Sequence, residues 1–113
     1  MPGHTYAGAS KRHYPYLIVD SNHLDLLPMQ GGNYIFALND SYRTPIFVDA
    51  SSDVRSAVLR NGMEVWRVAR ALHGAGLVLI HVDHRLAAND RETERKDLIE
   101  AYRPVMNPMR STT

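Results

Sequence analysis

The sequence predicts an α+β domain: a three-stranded antiparallel sheet packed with three helices, in the order strand, strand, helix, helix, strand, helix. Three observations predict it. Two β-rich runs, Asn33 to Leu38 and Pro45 to Val48, flank the polar turn Asn39-Asp40-Ser41 and read as an antiparallel hairpin. Met63, Trp66, Ala69 and Leu72 then recur at helical spacing, with Val65 and Val68 beside them. Beyond them, Leu77 to Val82 is an apolar, β-branched run of the kind found in a buried central strand.

Taken in order, residues 1–15 read as a flexible N-terminal arm containing Gly, Pro and Ser without periodicity. The stretch Lys11-Arg12-His13-Tyr14-Pro15-Tyr16 mixes basic and aromatic side chains and runs into a short strand, Tyr16 to Val19. Ser21 to Leu27 suits a turn of helix stopped by Pro28, and Gln30-Gly31-Gly32 marks a bend. Pro45 lacks an N–H, which places it at the first residue of its strand or on a sheet edge. Ser51, Ser52 and Asp53 are candidate N-caps for a helix through Arg60, which Asn61-Gly62 ends. The next helix spans Met63 to His73, and Gly74 to Gly76 break it. Asn89-Asp90-Arg91-Glu92 has the form of a capping box opening a last helix to about Tyr102, closed by Pro104. The domain therefore spans residues 16–107, with a loose tail at 108–113.

Composition narrows the function classes. At 113 residues the chain suits a single core, and 44% hydrophobic with 22% charged residues reads as globular. With no cysteine, disulfides and thiolate metal sites are excluded. No apolar run reaches membrane-spanning length, and no apolar segment follows a basic start, so the expectation is a cytoplasmic protein without a membrane partner. A net charge of +1 gives no general basic excess for nucleic acid. The basic set is nonetheless almost all arginine, Lys11 and Lys96 being the two lysines, and guanidinium forks match phosphate.

Several pieces together resemble one family. Asp97-Leu98-Ile99-Glu100-Ala101-Tyr102-Arg103-Pro104-Val105-Met106-Asn107 is similar to the last helix of GIY-YIG nucleases and the Pro-x-aromatic-Asn segment after it. Leu27-Pro28 and Gly32-Asn33-Tyr34-Ile35-Phe36 look like the approach to the "GIY" strand and that strand. Pro45 to Val54 looks like the "YIG" strand and the start of the following helix. The resemblance, to the excinuclease C subunit N-terminal domain and the homing-endonuclease type, covers Leu27 to Asn107 in the family's element order. It implies a sheet-and-helix nuclease fold. It also implies a chemistry of two tyrosines, an arginine on the first helix and a metal-binding glutamate on the last.

Carried over residue by residue, the first tyrosine is Tyr34. The second falls on Phe47, which has no hydroxyl, and the "YIG" glycine falls on Asp49. The arginine falls on Ala57, with Arg60 on the same helix face and Arg55 pointing elsewhere. The glutamate falls on Arg95, with Glu94 one residue away. These departures imply a non-catalytic domain that binds nucleic acid or a protein partner through the former cleft, with Arg43, Arg55, Arg60 and Arg95 as the contact groups. The alternative is an active, divergent endonuclease using Tyr34 and Glu94, with Glu94 holding Mg2+ or Mn2+. A second alternative is a small structural or assembly protein that keeps the fold for packing.

Outside the resemblance, His81 and His84 are the closest histidine pair and lack a third ligand at metal spacing. Two short helices around Gly62 give a loose helix-turn-helix pattern, with Arg67 and Arg70 as a modest basic face. No Walker loop, dinucleotide fingerprint or Gly-x-Ser-x-Gly is present.

Overall fold

A computed structural model describes residues 2–107. Gly3–Ala7 (β1), His13–Val19 (β2), Gly32–Leu38 (β3), Pro45–Ser51 (β4) and Ala75–Val82 (β5) form one sheet in the order β1-β2-β5-β3-β4, with every neighbouring pair antiparallel. A 3-10 helix, Ser21–Leu26, links β2 to β3. Val54–Leu59 (α1) and Asn61–His73 (α2) lie between β4 and β5, and Ala88–Tyr102 (α3) follows β5.

The sheet has five strands where the sequence predicts three. The difference lies in the N-terminal arm, which is built into the fold: β1 pairs with β2 from Gly3 opposite Leu17 to Ala7 opposite His13. Tyrosine is the physical reason. Tyr14 and Tyr16 point inward at alternate positions of β2, and Tyr6 does so on β1, so the arm buries three aromatic rings on one sheet face. Pro15 is tolerated because β2 pairs with β5 only from Leu17 to Val19, beyond the proline. The tail at 108–113 lies outside the described residues.

The remaining elements follow the sequence closely. β3 forms at the predicted run, and β4 begins at Pro45 as predicted and continues three residues past Val48, on the sheet edge. Asp53 caps α1, its carboxylate accepting the Ser56 N–H at 3.1 Å. α2 starts at Asn61, so Gly62 sits inside its first turn. A Cβ there would lie 2.8 Å from the Ala57 carbonyl, so the close α1–α2 junction requires glycine. Gly74 ends α2 in the left-handed conformation, φ 75°. α3 begins one residue before the expected capping box. Ala87 is its cap residue, and the Asp90 carboxylate accepts the Ala87 N–H at 2.9 Å.

The sheet carries a core on each face. On one, Tyr34, Phe36, Val78 and Ile80 pack against Leu24 and Leu27, against Val54 and Val58 of α1, and against Trp66 and Ala69 of α2. On the other, Tyr6, Tyr14, Tyr16, Ile35, Val48 and Leu79 pack beneath Leu98 of α3. The outer edge of β4 is covered by the segment after α3. The Asn107 side chain donates to the Val48 carbonyl at 2.9 Å and accepts the Val48 N–H at 2.8 Å, as a paired strand would.

Candidate functional site

Three of the positions that the family resemblance singles out, Tyr34, Asp49 and Arg95, meet toward the C-terminal end of β4. Tyr34 on β3 stands opposite Asp49 on β4, and its hydroxyl donates to Asp49 Oδ2 at 3.3 Å. Asp49 Oδ1 accepts the Ala50 N–H at 2.8 Å and faces Arg95 Nε at 3.3 Å. Arg95 also pairs with Glu92, one turn earlier on α3, at 3.0 Å. A phenol, a carboxylate, a guanidinium and a second carboxylate thus form one chain from β3 across β4 to α3. Burial above all, and then the charge of Asp49, hold the Tyr34 hydroxyl above the ordinary phenol range, so it stays protonated at neutral pH. Phe47 is core: its ring stacks on Phe36 at 5.9 Å and lies 6.2 Å from Tyr34. Ala57 packs against the same core.

The four predicted arginines are not one patch. Arg95 reaches the end of β4, Arg55 lies in the first turn of α1, which follows β4, and Arg60 caps the far end of that helix. Neither Arg55 nor Arg60 has a carboxylate within salt-bridge distance among the described residues. Arg43 sits in the β3–β4 turn at the opposite end of β4, roughly 20 Å away at about 3.3 Å per residue. There its guanidinium bonds the Asp40 carbonyl and its own carbonyl accepts the Tyr6 hydroxyl at 2.7 Å. With φ 49° it is a turn residue held by its backbone.

Glu94 lies elsewhere. Its side chain is 2% exposed beneath α3, on the sheet face opposite Tyr34. Glu94 Oε2 accepts the Tyr16 hydroxyl at 2.6 Å, and both carboxylate oxygens lie within 3.0 Å of His81 Nδ1. The reason is strand alternation. His81 pairs with Asn33 across β3 and β5, and Asn33 and Tyr34, being neighbours, point to opposite faces. The carboxylate on Nδ1 fixes the imidazole orientation, and His81 is itself 15% exposed. Burial, followed by the charge of Glu94, raises the Tyr16 hydroxyl well above its ordinary range. Beside this cluster, Asn33 donates to the Arg91 carbonyl at 3.0 Å, and its buried Oδ1 has no hydrogen-bond partner among the described residues.

Sequence reasoning placed Tyr34, Asp49 and Arg95 in one neighbourhood and put Glu94 at the border of a buried face. It missed the partners Tyr16 and His81. The available signal was the alternation of Tyr14 and Tyr16, which marks a strand with one buried face. Among the described residues no three His, Asp or Glu side chains converge as a metal site, and no helix is long and apolar enough to cross a membrane. Comparison with models of known protein families, with curated proteins and with solved structures finds no match.

Proposed function

We propose that this chain is a non-catalytic GIY-YIG-like domain that binds nucleic acid through the arginines around the C-terminal end of β4. The carrying observation is the Tyr34–Asp49–Arg95 chain. It commits the hydroxyl of the retained tyrosine and the guanidinium at the metal-ligand position to an internal carboxylate. A phosphate entering there meets Asp49, and a cation meets Arg95. Arg55 and Arg60, at the two ends of α1, have no carboxylate within salt-bridge distance among the described residues and suit backbone phosphates. Glu94 and Tyr34 face opposite sides of the sheet, which favours binding over joint catalysis by the two.

The test pairs binding with cleavage. Fluorescence anisotropy on labelled single- and double-stranded oligonucleotides is expected to show salt-sensitive binding. Arg55→Ala and Arg60→Ala should weaken it for all sequences, each lowering the salt slope by about 1. No cleavage is expected with Mg2+ or Mn2+. Absence of binding at low salt would sink the reading. Metal-dependent cleavage by the wild type would replace it with a divergent endonuclease.

A further inference from the structure

Three strands and α3 bring a polar cluster together on one sheet face, and one of its atoms is left free to react. Asn33 on β3 pairs with His81 on β5, and the Tyr16 ring of β2 lies 5.5 Å from the His81 ring. Glu94 of α3 accepts the Tyr16 hydroxyl at 2.6 Å. Burial keeps that hydroxyl protonated, so Glu94 meets His81 as an acceptor and Nδ1 is the donor, 2.9 Å from Oε2. In the neutral ring the proton therefore sits on Nδ1, and Nε2 carries the lone pair. Nε2 has no hydrogen-bond partner among the described residues. The buried side-chain atom that lacks one there is Asn33 Oδ1, so Nε2 is open to solvent. A cation stands nearby. Arg91 lies one turn before Glu94 on α3, with Cβ atoms about 5–6 Å apart, and its carbonyl accepts the Asn33 amide at 3.0 Å. Its guanidinium lies against Gly31, where an added Cβ would come 2.8 Å from Nη1. Gly31 is two residues from Asn33, roughly 7 Å along the strand at about 3.3 Å per residue. The guanidinium bonds the Leu86 carbonyl at 2.9 Å and has no carboxylate within salt-bridge distance among the described residues.

We propose that His81 is a phosphoryl-acceptor residue, with Nε2 as the nucleophile and a donor of the phosphoramidate class. Nε2 attacks phosphorus and the Nε2–P bond forms. The donor's P–N bond breaks, and its protonated nitrogen leaves as ammonia with that electron pair. The ring is left positively charged, and the Glu94 carboxylate at Nδ1 balances that charge without moving a proton. Glu94 is a positioning residue, acting through the imidazole. Arg91 supplies a cation for the phosphoryl oxygens, which favours an anionic electrophile over a neutral acyl donor. A histidine kept only to seat Glu94 needs Nδ1 alone; the open Nε2 is what makes this cluster reactive. The site uses none of Arg55, Arg60 or Arg95, so its failure and the failure of nucleic-acid binding are distinguishable.

The test treats the full chain with potassium phosphoramidate and follows each histidine by site-resolved mass spectrometry. The exposed His13, His23 and His84 are internal controls. His81 is expected to be phosphorylated at least roughly fivefold faster than any of them. Glu94→Gln, which removes the charge at Nδ1, and Arg91→Gln, which keeps a donor for the Leu86 carbonyl, should each slow His81 by roughly fivefold and leave the controls unchanged. Diethyl pyrocarbonate, a neutral acylating reagent, should modify His81 as fast in Arg91→Gln as in the wild type. Nitrogen NMR of the imidazole rings should report the Nδ1–H tautomer for His81 in the neutral form. The proposal is overturned if His81 reacts no faster than the exposed histidines or if its neutral ring carries the proton on Nε2. It is also overturned if Glu94→Gln leaves the His81 rate unchanged, or if Arg91→Gln slows neither reagent or both alike. Should Glu94→Gln unfold, the comparison among the wild-type histidines and the tautomer signal decide.

Discussion

The two faces of the sheet are sealed by different chemistry. Under α1 and α2 the seal is apolar: Phe36, Trp66, Val54, Val58, Val78 and Ala69 interlock, and the Tyr34 hydroxyl is the polar group that reaches out, toward Asp49. Under α3 the seal is a set of hydroxyl–carboxylate contacts. Tyr16 binds buried Glu94, and Asp97 accepts the Tyr14 hydroxyl at 2.7 Å, the Ser10 hydroxyl at 2.6 Å and the Ser10 N–H at 2.9 Å. The helices differ accordingly. α2 carries an apolar stripe, whereas α3 buries Glu94 beside Leu98, with Ile99 packed partly against the same core. An apolar face tolerates rearrangement if volume is kept. A polar face demands that every partner stay in place, because an orphaned buried charge costs more than its pairing gains.

The sharpest way to break this comparison is one truncation on each face. Phe36→Ala should destabilise by about 3–5 kcal/mol, through lost burial and a cavity beside Trp66. Glu94→Ala should cost about 3 kcal/mol although it removes little apolar surface, because Tyr16 and His81 lose their shared acceptor. Glu94→Gln, which keeps an acceptor for Tyr16, should recover part of that loss. Chemical denaturation measures all three. If Glu94→Ala costs under about 1 kcal/mol, the α3 face is held by Leu98 and its neighbours alone and the contrast fails.

Much of this was legible in the sequence, for a definite reason. The central hairpin, the Asp53 cap, α2 and β5 carry local signals that survive without tertiary context: alternation, capping chemistry and helical spacing. β1 and the first three residues of β2, His13 to Pro15, were missed because their inward residues are tyrosines flanked by His, Pro and Lys, and basic residues next to aromatics also describe a nucleic-acid arm. The candidate site was readable where the order of elements aligned its positions, as with Tyr34 and Asp49 in the central hairpin and Arg95 on α3. The Glu94 cluster draws on β2, β5 and α3, and no spacing within one element announces it.

Response to pH sharpens the contrast next. Burial raises the hydroxyls of Tyr6, Tyr14, Tyr16 and Tyr34, and three of these four lie on the α3 face. A folded value above the unfolded one means that the stability is fully present below about pH 10 and is lost as pH rises through the folded values. Phenolate absorbance should therefore appear together with unfolding. Asp97 behaves in the opposite sense. Burial pushes its carboxyl up, but the hydrogen bonds from Ser10 and Tyr14 outweigh burial and hold it below the ordinary range. Its contribution is present above about pH 4 and is lost as pH falls through the lower folded value. Asp97→Asn should flatten the acid limb of a stability–pH curve and leave the alkaline limb in place. An unchanged acid limb would mean that the β1–β2 turn is not held to α3 through this carboxylate.

The smallest effect separates two of the three carboxylate-bound tyrosines, Tyr16 and Tyr34. Tyr16→Phe removes a 2.6 Å donor from a carboxylate with no access to water, and should cost about 1–3 kcal/mol. Tyr34→Phe removes a 3.3 Å contact to Asp49, whose side chain is 39% exposed and keeps both the Ala50 N–H and Arg95. Its cost should stay under about 1 kcal/mol, because water replaces the lost donor. The chemical meaning of the pair differs as well. If Tyr34 is a packing residue with a committed hydroxyl, its phenylalanine variant binds oligonucleotides as the wild type does. If binding falls while stability holds, the hydroxyl touches the ligand, and the Tyr34–Asp49–Arg95 chain is then a contact surface, not a plug.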